Sequence, residues 1–286
     1  MPTPIHQAAL LVNLSISAFN AKRKDQRVSQ EAIAQNHASD DAGNFVKSLV
    51  SREAIAPIQN ASSAARSYHL ANTLPWQDGG GRIIPAAHYA EYKLRMEALK
   101  TNFNAAVAVF CAGYAAAIEE AKVRLGSMFV QSDYPSDVRE RFEFRTTCYP
   151  IPSGSDFRIQ ITPEEREVLS VEIEQSVRES VDAGVLEVLG RATGCLETIV
   201  ERLGKPDSIF RDTLIGNLVE IARMIPIFNV TDNPNLTLLS DIIQPMTQVN
   251  PADLRTNPAR RQEVYVAARN ALEGIRNMTV ADEEEV

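Results

Sequence analysis

A mostly helical chain with a small β-sheet, an α+β fold, is predicted by three features of this sequence. Only 6% of its 286 residues are aromatic while Ala, Val, Leu and Ile abound, a composition suited to helix-on-helix packing. Two long segments, 87–125 and 163–203, repeat apolar residues at spacings of three and four. Alternation with period two is confined to the N-terminus and to residues 141–161. The predicted architecture is two long antiparallel coiled-coil-like helices, a short antiparallel sheet and a C-terminal helical cluster. Gly204-Lys-Pro206 marks the expected division, with 1–204 as one domain, 205–280 as a helical subdomain and 281–286 as an acidic tail.

In chain order, the first element is a strand. Val12, Leu14 and Ile16 alternate with Asn13, Ser15 and Ser17, the pattern of a half-buried strand over Leu10 to Phe19. The stretch Lys22-Arg23-Lys24-Asp25-Gln26-Arg27 follows, the densest basic cluster in the chain. It reads either as a solvated strand end or as a contact to nucleic acid or an acidic partner. Ser29 to Leu49 reads as a weak helix, interrupted by polar residues. Helical spacing would place His37 beside Asp40 and Asp41, but a metal site needs ligands from elsewhere that the sequence does not offer, so a hydrated face is expected. Ile55 to His69 is a small-residue helix.

Arg66 to Tyr89 holds the single Trp, two of the four His and the one Gly-rich run, and reads as an ordered corner feeding the first long helix. Leu74-Pro75-Trp76 and Asp78-Gly79 are turn chemistry, since Pro fixes φ and Gly accepts φ > 0. Gly79-Gly80-Gly81-Arg82 could present bare N–H groups and a guanidinium to an anion. It lacks the Gly-Lys-Ser/Thr ending of a P-loop and the spacing of a dinucleotide loop. Trp76 is expected in the core, against the helix that begins near Pro85.

Tyr89, Tyr92, Met96, Leu99, Phe103, Ala106, Phe110, Gly113 and Ala117 give a heptad-like seam along the first long helix. Arg141 to Tyr149 and Phe157 to Ile161, joined by a Pro/Gly/Ser loop, read as a hairpin able to recruit the first strand. Thr162-Pro163-Glu164-Glu165 is a capping box that starts the second long helix. Gly184, Gly190 and Gly194 inside it each cost about 1 kcal/mol relative to Ala, which implies close packing or a bend. Pro226 is expected to close the helix before it, and Asn233-Pro234, Asn250-Pro251 and Asn257-Pro258 each resemble an N-cap followed by Pro. The last helix is expected over about Pro258 to Asn277, followed by a frayed tail.

The formal charge of −8 opposes broad non-specific DNA binding and favours protein partners. Three scattered Cys and no ligand spacing argue against zinc or disulfides, and for reduced thiols in the cytoplasm. No run is expected to reach the roughly 20 apolar residues of a membrane span. No catalytic motif, cofactor motif or metal set is present in the sequence.

Leu11-Val-Asn-Leu-Ser-Ile16, Lys22-Arg-Lys24, the corner from Leu74-Pro-Trp76 to Ile84-Pro85 and Arg141-Phe-Glu-Phe144 together resemble a group of proteins encoded by bacteriophages and integrative elements and known as a domain of unknown function. The resemblance spans most of residues 10 to 160 and, more loosely, the helix after Thr162. Members of that group accompany MoxR-type AAA+ ATPases and von Willebrand A-type proteins, or recombination functions. What the resemblance implies is a non-enzymatic accessory protein, with an AAA+ ATPase as candidate partner and no active-site residue carried over. Two readings follow: an oligomeric helical scaffold or adaptor for a protein partner, or a single-strand nucleic-acid accessory protein. Candidate partner or anion contacts are Lys22, Arg23, Lys24, Arg27, Arg66, Trp76 and Arg82.

Overall fold

A computed structural model describes residues 4–76, 81–154, 162–205 and 208–284. In chain order the elements are α1 (Ile5–Ala8), β1 (Ala9–Ser17), β2 (Lys22–Lys24), α2 (Gln26–Gln35), β3 (Val46–Ser48), α3 (Arg52–Ala71), β4 (Leu74–Pro75), β5 (Arg82–Pro85), α4 (Ala86–Leu125), β6 (Glu143–Pro150), α5 (Pro163–Leu203), α6 (Thr213–Phe228), α7 (Pro234–Thr247), α8 (Pro251–Thr256) and α9 (Pro258–Glu284). The predicted class holds: helix dominates, beside a small sheet and a C-terminal helical cluster. The sheet runs β4-β5-β1-β6, with β1 antiparallel to β5 from Ala9 opposite Pro85 to Val12 opposite Arg82. Recruitment of the first strand across the chain is thus observed, but to β5 as well as to β6. The second strand of the expected hairpin, Phe157 to Ile161, lies outside the described residues.

Contacts divide the chain into two compact units, one of residues 1–13, 72–90 and 148–286 and one of residues 14–71 and 91–147. The boundary expected at Gly204 is not where they part. The residues of α5 from Val185 to Leu203 share one apolar core with residues of α6 to α9, so the break after Leu203 turns the chain without separating domains.

In the first unit α5 packs against α9, α6 and α7, and β4 lies against it. The expected antiparallel hairpin of α4 with α5 therefore does not organise this core, which α5 builds with the helices that follow it. The capping box of α5 is formed: the Thr162 hydroxyl accepts from the Glu165 N–H at 3.2 Å, and the Glu165 carboxylate accepts from the Thr162 N–H at 2.9 Å. Asn233 and Asn250 cap α7 and α8 as expected, and the Asn257 side chain accepts from the Arg260 N–H at the start of α9. Pro226 lies inside the last turn of α6 rather than ending it, and α9 continues to Glu284 instead of fraying at 281. Gly184 has a packing reason, because a Cβ there would meet Leu74 Cδ1 at 3.3 Å, while Gly190 and Gly194 face open space.

The second unit is built on aromatic rings. Phe103 meets Phe142 and Phe144 at 6.5 and 5.6 Å, and Phe110 meets Phe19, Tyr114 and Phe142. The expected helix over 29–49 is half replaced. α2 stops at Gln35, His37 takes φ 50°, and residues 46–48 form β3, antiparallel to β2 with Lys24 opposite Val46. His37, Asp40 and Asp41 therefore share no helix face, and Asp41 accepts from the Ser39 hydroxyl at 2.7 Å.

Candidate functional site: a buried charge cluster and an uncovered helix face

Pairing β2 with β3 turns Lys47 inward, where its side chain is only 3% exposed. A buried ammonium is costly unless its donors find acceptors. Lys47 Nζ reaches the Met128 carbonyl at 2.6 Å, Asp133 Oδ2 at 2.9 Å and Asp25 Oδ2 at 3.4 Å. Arg23 adds a second cation on Asp133 at 3.4 Å, so two positive groups meet two carboxylates. Asp25 also caps α2 by accepting from the Val28 N–H at 3.1 Å. That hydrogen bond first, and then the nearby Lys47, hold the Asp25 carboxyl below its usual value despite burial. The cluster ties β2, α2, β3 and the turn at Asp133 together.

The basic stretch is thereby split. Arg23 serves the cluster, Arg27 pairs with Glu31 one helical turn on at 2.7 Å, and Lys22 and Lys24 stand exposed on β2. Lys22 and Arg23 border a surface hollow of about 570 Å³ together with Asn20, Asp133, Glu140 and Arg141, so its rim carries both signs of charge. Arg66 donates to the Ile16 carbonyl at 2.9 Å, holding α3 to β1.

At the corner, Gly79 and Gly80 lie outside the described residues. Arg82 does not present itself to an anion. Its Nε donates to the Thr73 hydroxyl at 2.7 Å, and its Nη2 donates to the Thr73 carbonyl at 3.0 Å and to Glu187 at 3.0 Å. Arg191 donates to the same carbonyl and to Glu187, and lies 5.6 Å over the Phe228 ring. Trp76 is buried as expected, but its apolar cluster draws its helical members from α5 to α9 and none from α4. The corner is a latch onto α5. His88 and Asn72, both buried, add a hydrogen bond of 2.9 Å to it. Among the described residues, no group of three or more His, Cys, Asp or Glu could hold a metal ion.

The feature that sequence reasoning missed is on α4. Its buried line repeats every eleven residues: Tyr92, Phe103, Tyr114 and Leu125, with Leu99 and Phe110 between them. Eleven residues in three turns is close to the 3.6 of a straight helix, whereas a heptad drifts about 20° per repeat. Placed on the heptad, Gly113 is exposed and Ala106 and Ala117 only half-buried; the core positions are Val107 and Tyr114. A second apolar line follows the same eleven-residue repeat on the opposite side. Leu94, Ala105, Val109, Ala112, Ala116 and Val123 fall within about 60° of one another at 100° per residue, and all six are exposed. Val109 is 75% and Val123 86% exposed. The segment 101–118 carries no charge on any side. That lack of charge, rather than the periodicity of one face, was the available signal.

This corrects one expectation, because α4 with the turn after it, Ala86–Met128, is long and apolar enough to cross a membrane by length and composition, with 22% of its most apolar window buried. In the structure Phe103, Phe110 and Tyr114 of the same helix enter an aromatic core. Comparisons of the chain with protein-family models, with curated proteins and with solved structures give no match.

Proposed function

We propose that the protein is a non-enzymatic accessory protein, an oligomeric helical scaffold or adaptor that presents the outer face of α4 to protein. The observation that carries this is the uncovered apolar line from Leu94 to Val123 on a helix whose other side is already in a core. A helix apolar all round is stable only when covered all round, and exposed apolar strips of this length mark binding surfaces. At 1.5 Å per residue the line is about 44 Å long. The resemblance to phage and mobile-element proteins that accompany AAA+ ATPases makes such an ATPase, in the host cytoplasm, a candidate client of the adaptor.

The test is a benzophenone side chain at position 109, photolysed in cells that make the chain. Covalent adducts of discrete protein mass are expected from that position and not from position 52 on α3. Lipid adducts alone, or none, would sink the reading. The nucleic-acid alternative now rests on Lys22 and Lys24, because Arg23, Arg27, Arg66 and Arg82 are all engaged within the chain. Salt-sensitive binding of a single-stranded oligonucleotide whose slope falls by about 1.4 units in the K22S/K24S variant would put that alternative first.

A further inference from the structure

We infer that the outer face of α4 is covered by the same face of a second copy of this chain, the two helices running antiparallel about a twofold axis near Val109. The inference rests on the scaffold reading and names its partner. An isologous contact must be self-complementary, with each residue meeting its counterpart across the axis. An antiparallel pair centred between Ala108 and Val109 sets Leu94 of one copy beside Val123 of the other, and Ala105 beside Ala112. The two large exposed ends of the line thus fill each other's positions. The small residues fall at the crossing, where the backbones come closest.

The charges that border the line select the same arrangement. Arg95 and Glu120 lie on one flank of the face and Glu97 and Lys122 on the other, all of them exposed. In an antiparallel pair equivalent flanks adjoin, so Arg95 meets Glu120 of the second copy, and Glu97 meets Lys122, which within the chain is already held by Glu119 at 2.6 Å. A parallel pair is disfavoured, because Glu91 and Glu119 lie on the face itself and each would meet its own copy. In the antiparallel pair Glu119 lies beside Ala98, and Glu91 lies past the end of the other helix. Antiparallel helix dipoles add a further favourable term.

Sedimentation equilibrium of the full chain at micromolar concentration tests this. A mass of two chains is expected. Val109→Glu, which sets two carboxylates near the axis, should weaken the dimer about 100-fold and leave the far-UV helical signal of the folded chain unchanged. Arg95→Glu should weaken it about tenfold, and adding Glu120→Arg should restore it. In a parallel pair the double variant would instead be the weaker, since the new Glu would face Glu97 and the new Arg would face Lys122. A monomer at every concentration, a dimer indifferent to Val109→Glu, or a double variant weaker than the single overturns the inference. The benzophenone adduct separates the two levels: a mass of two chains supports the second copy, a different protein mass overturns it while the scaffold reading stands, and no protein adduct removes both.

Discussion

The two longest helices are nearly equal in length, 40 residues in α4 and 41 in α5, yet they solve the burial problem in opposite ways. α5 has one buried face, from Ser180 to Leu203, and polar residues such as Glu187, Arg191 and Glu201 off it. It is the spine of its unit. α4 has an aromatic face in a core and an aliphatic face in solvent, with its charges gathered at the two ends. The contrast extends to the surroundings. The core around α5 is mostly aliphatic, whereas the unit that holds most of α4 relies on stacked and edge-on rings and on a buried charge cluster. On α5 the chain buries one face over 180–203; on α4 it buries one of two opposite apolar sides and leaves the other in solvent.

The sharpest way to break this comparison is to cut into both cores. Phe103→Ala on α4 should cost about 3–5 kcal/mol and Leu196→Ala on α5 about 2–5 kcal/mol, both residues being fully buried. Chemical denaturation should show each loss, whereas Val109→Ser on the outer face of α4 should stay within about 0.5 kcal/mol for the isolated chain. Equal losses at all three sites would mean that the outer face is a core face after all.

A second measurement tests whether charge holds the aromatic unit together. Because the folded chain lowers the Asp25 carboxyl, the stabilisation it gives is fully present above the ordinary carboxylate value of 3.8 and is lost as pH falls through the lower folded value. Acid unfolding of the wild type should therefore include this loss. Lys47→Ala should destabilise at neutral pH, where Asp25 and Asp133 would face each other with Arg23 alone as counter-charge. Its melting curve should approach that of the wild type as pH drops below 3.8 and Asp25 protonates. A constant gap across that range would assign Lys47 a packing role only.

What could be read from the sequence was what is decided locally. Thr162 and Glu165 form a capping box because three residues suffice to specify one, and the Asn-Pro starts of α7 and α8 are equally short-range. Trp76 could be assigned to a core, since a large ring beside Pro in a corner has few alternatives, but not to the right core. The pairing of β2 with β3 escaped notice because each is three residues long and flanked by helix-compatible sequence. Lys47 was hidden for the same reason: its burial follows from a strand register fixed by Asp133, 86 positions away. The basic cluster left two readings open, a solvated strand end or a partner contact, because a sequence shows charges without their partners. On α4 the apolar residues were legible, but counting them on a heptad assigned one face and passed over the other.

A smaller effect concerns the one buried polar atom without a partner among the described residues, the Tyr114 hydroxyl. Burial pushes its pKa from 10.0 up to about 12. The folded state thus favours the neutral phenol, and stability should decline as pH climbs above 10.0 toward 12. Tyr114→Phe removes an unsatisfied group while keeping the ring contacts with Phe19 and Phe110. It should stabilise by about 1 kcal/mol and lessen the alkaline decline, to which Tyr134, also raised by burial, still contributes. A destabilised variant would show that the hydroxyl has a partner such as a bound water.

The smallest expected effects lie on the glycines of α5, and there the sign matters more than the size. Gly190 and Gly194 sit in a helix interior with open space where a Cβ would go, so Ala at either position adds helix propensity without a clash. Each substitution should raise stability by about 0.4–1 kcal/mol. At Gly184 the new methyl would meet the Leu74 side chain at 3.3 Å, and Leu74 is itself buried in the strand that holds the corner. Gly184→Ala should therefore lose the propensity gain to the displacement of Leu74 and come out neutral or unfavourable. Three melts decide it. If all three variants gain equally, β4 yields easily and its seat on α5 is looser than the Thr73, Arg82 and Glu187 hydrogen bonds imply. If Gly190→Ala or Gly194→Ala loses stability, the open side of α5 is occupied by a surface outside the single chain, and α5 as well as α4 would be completed from elsewhere.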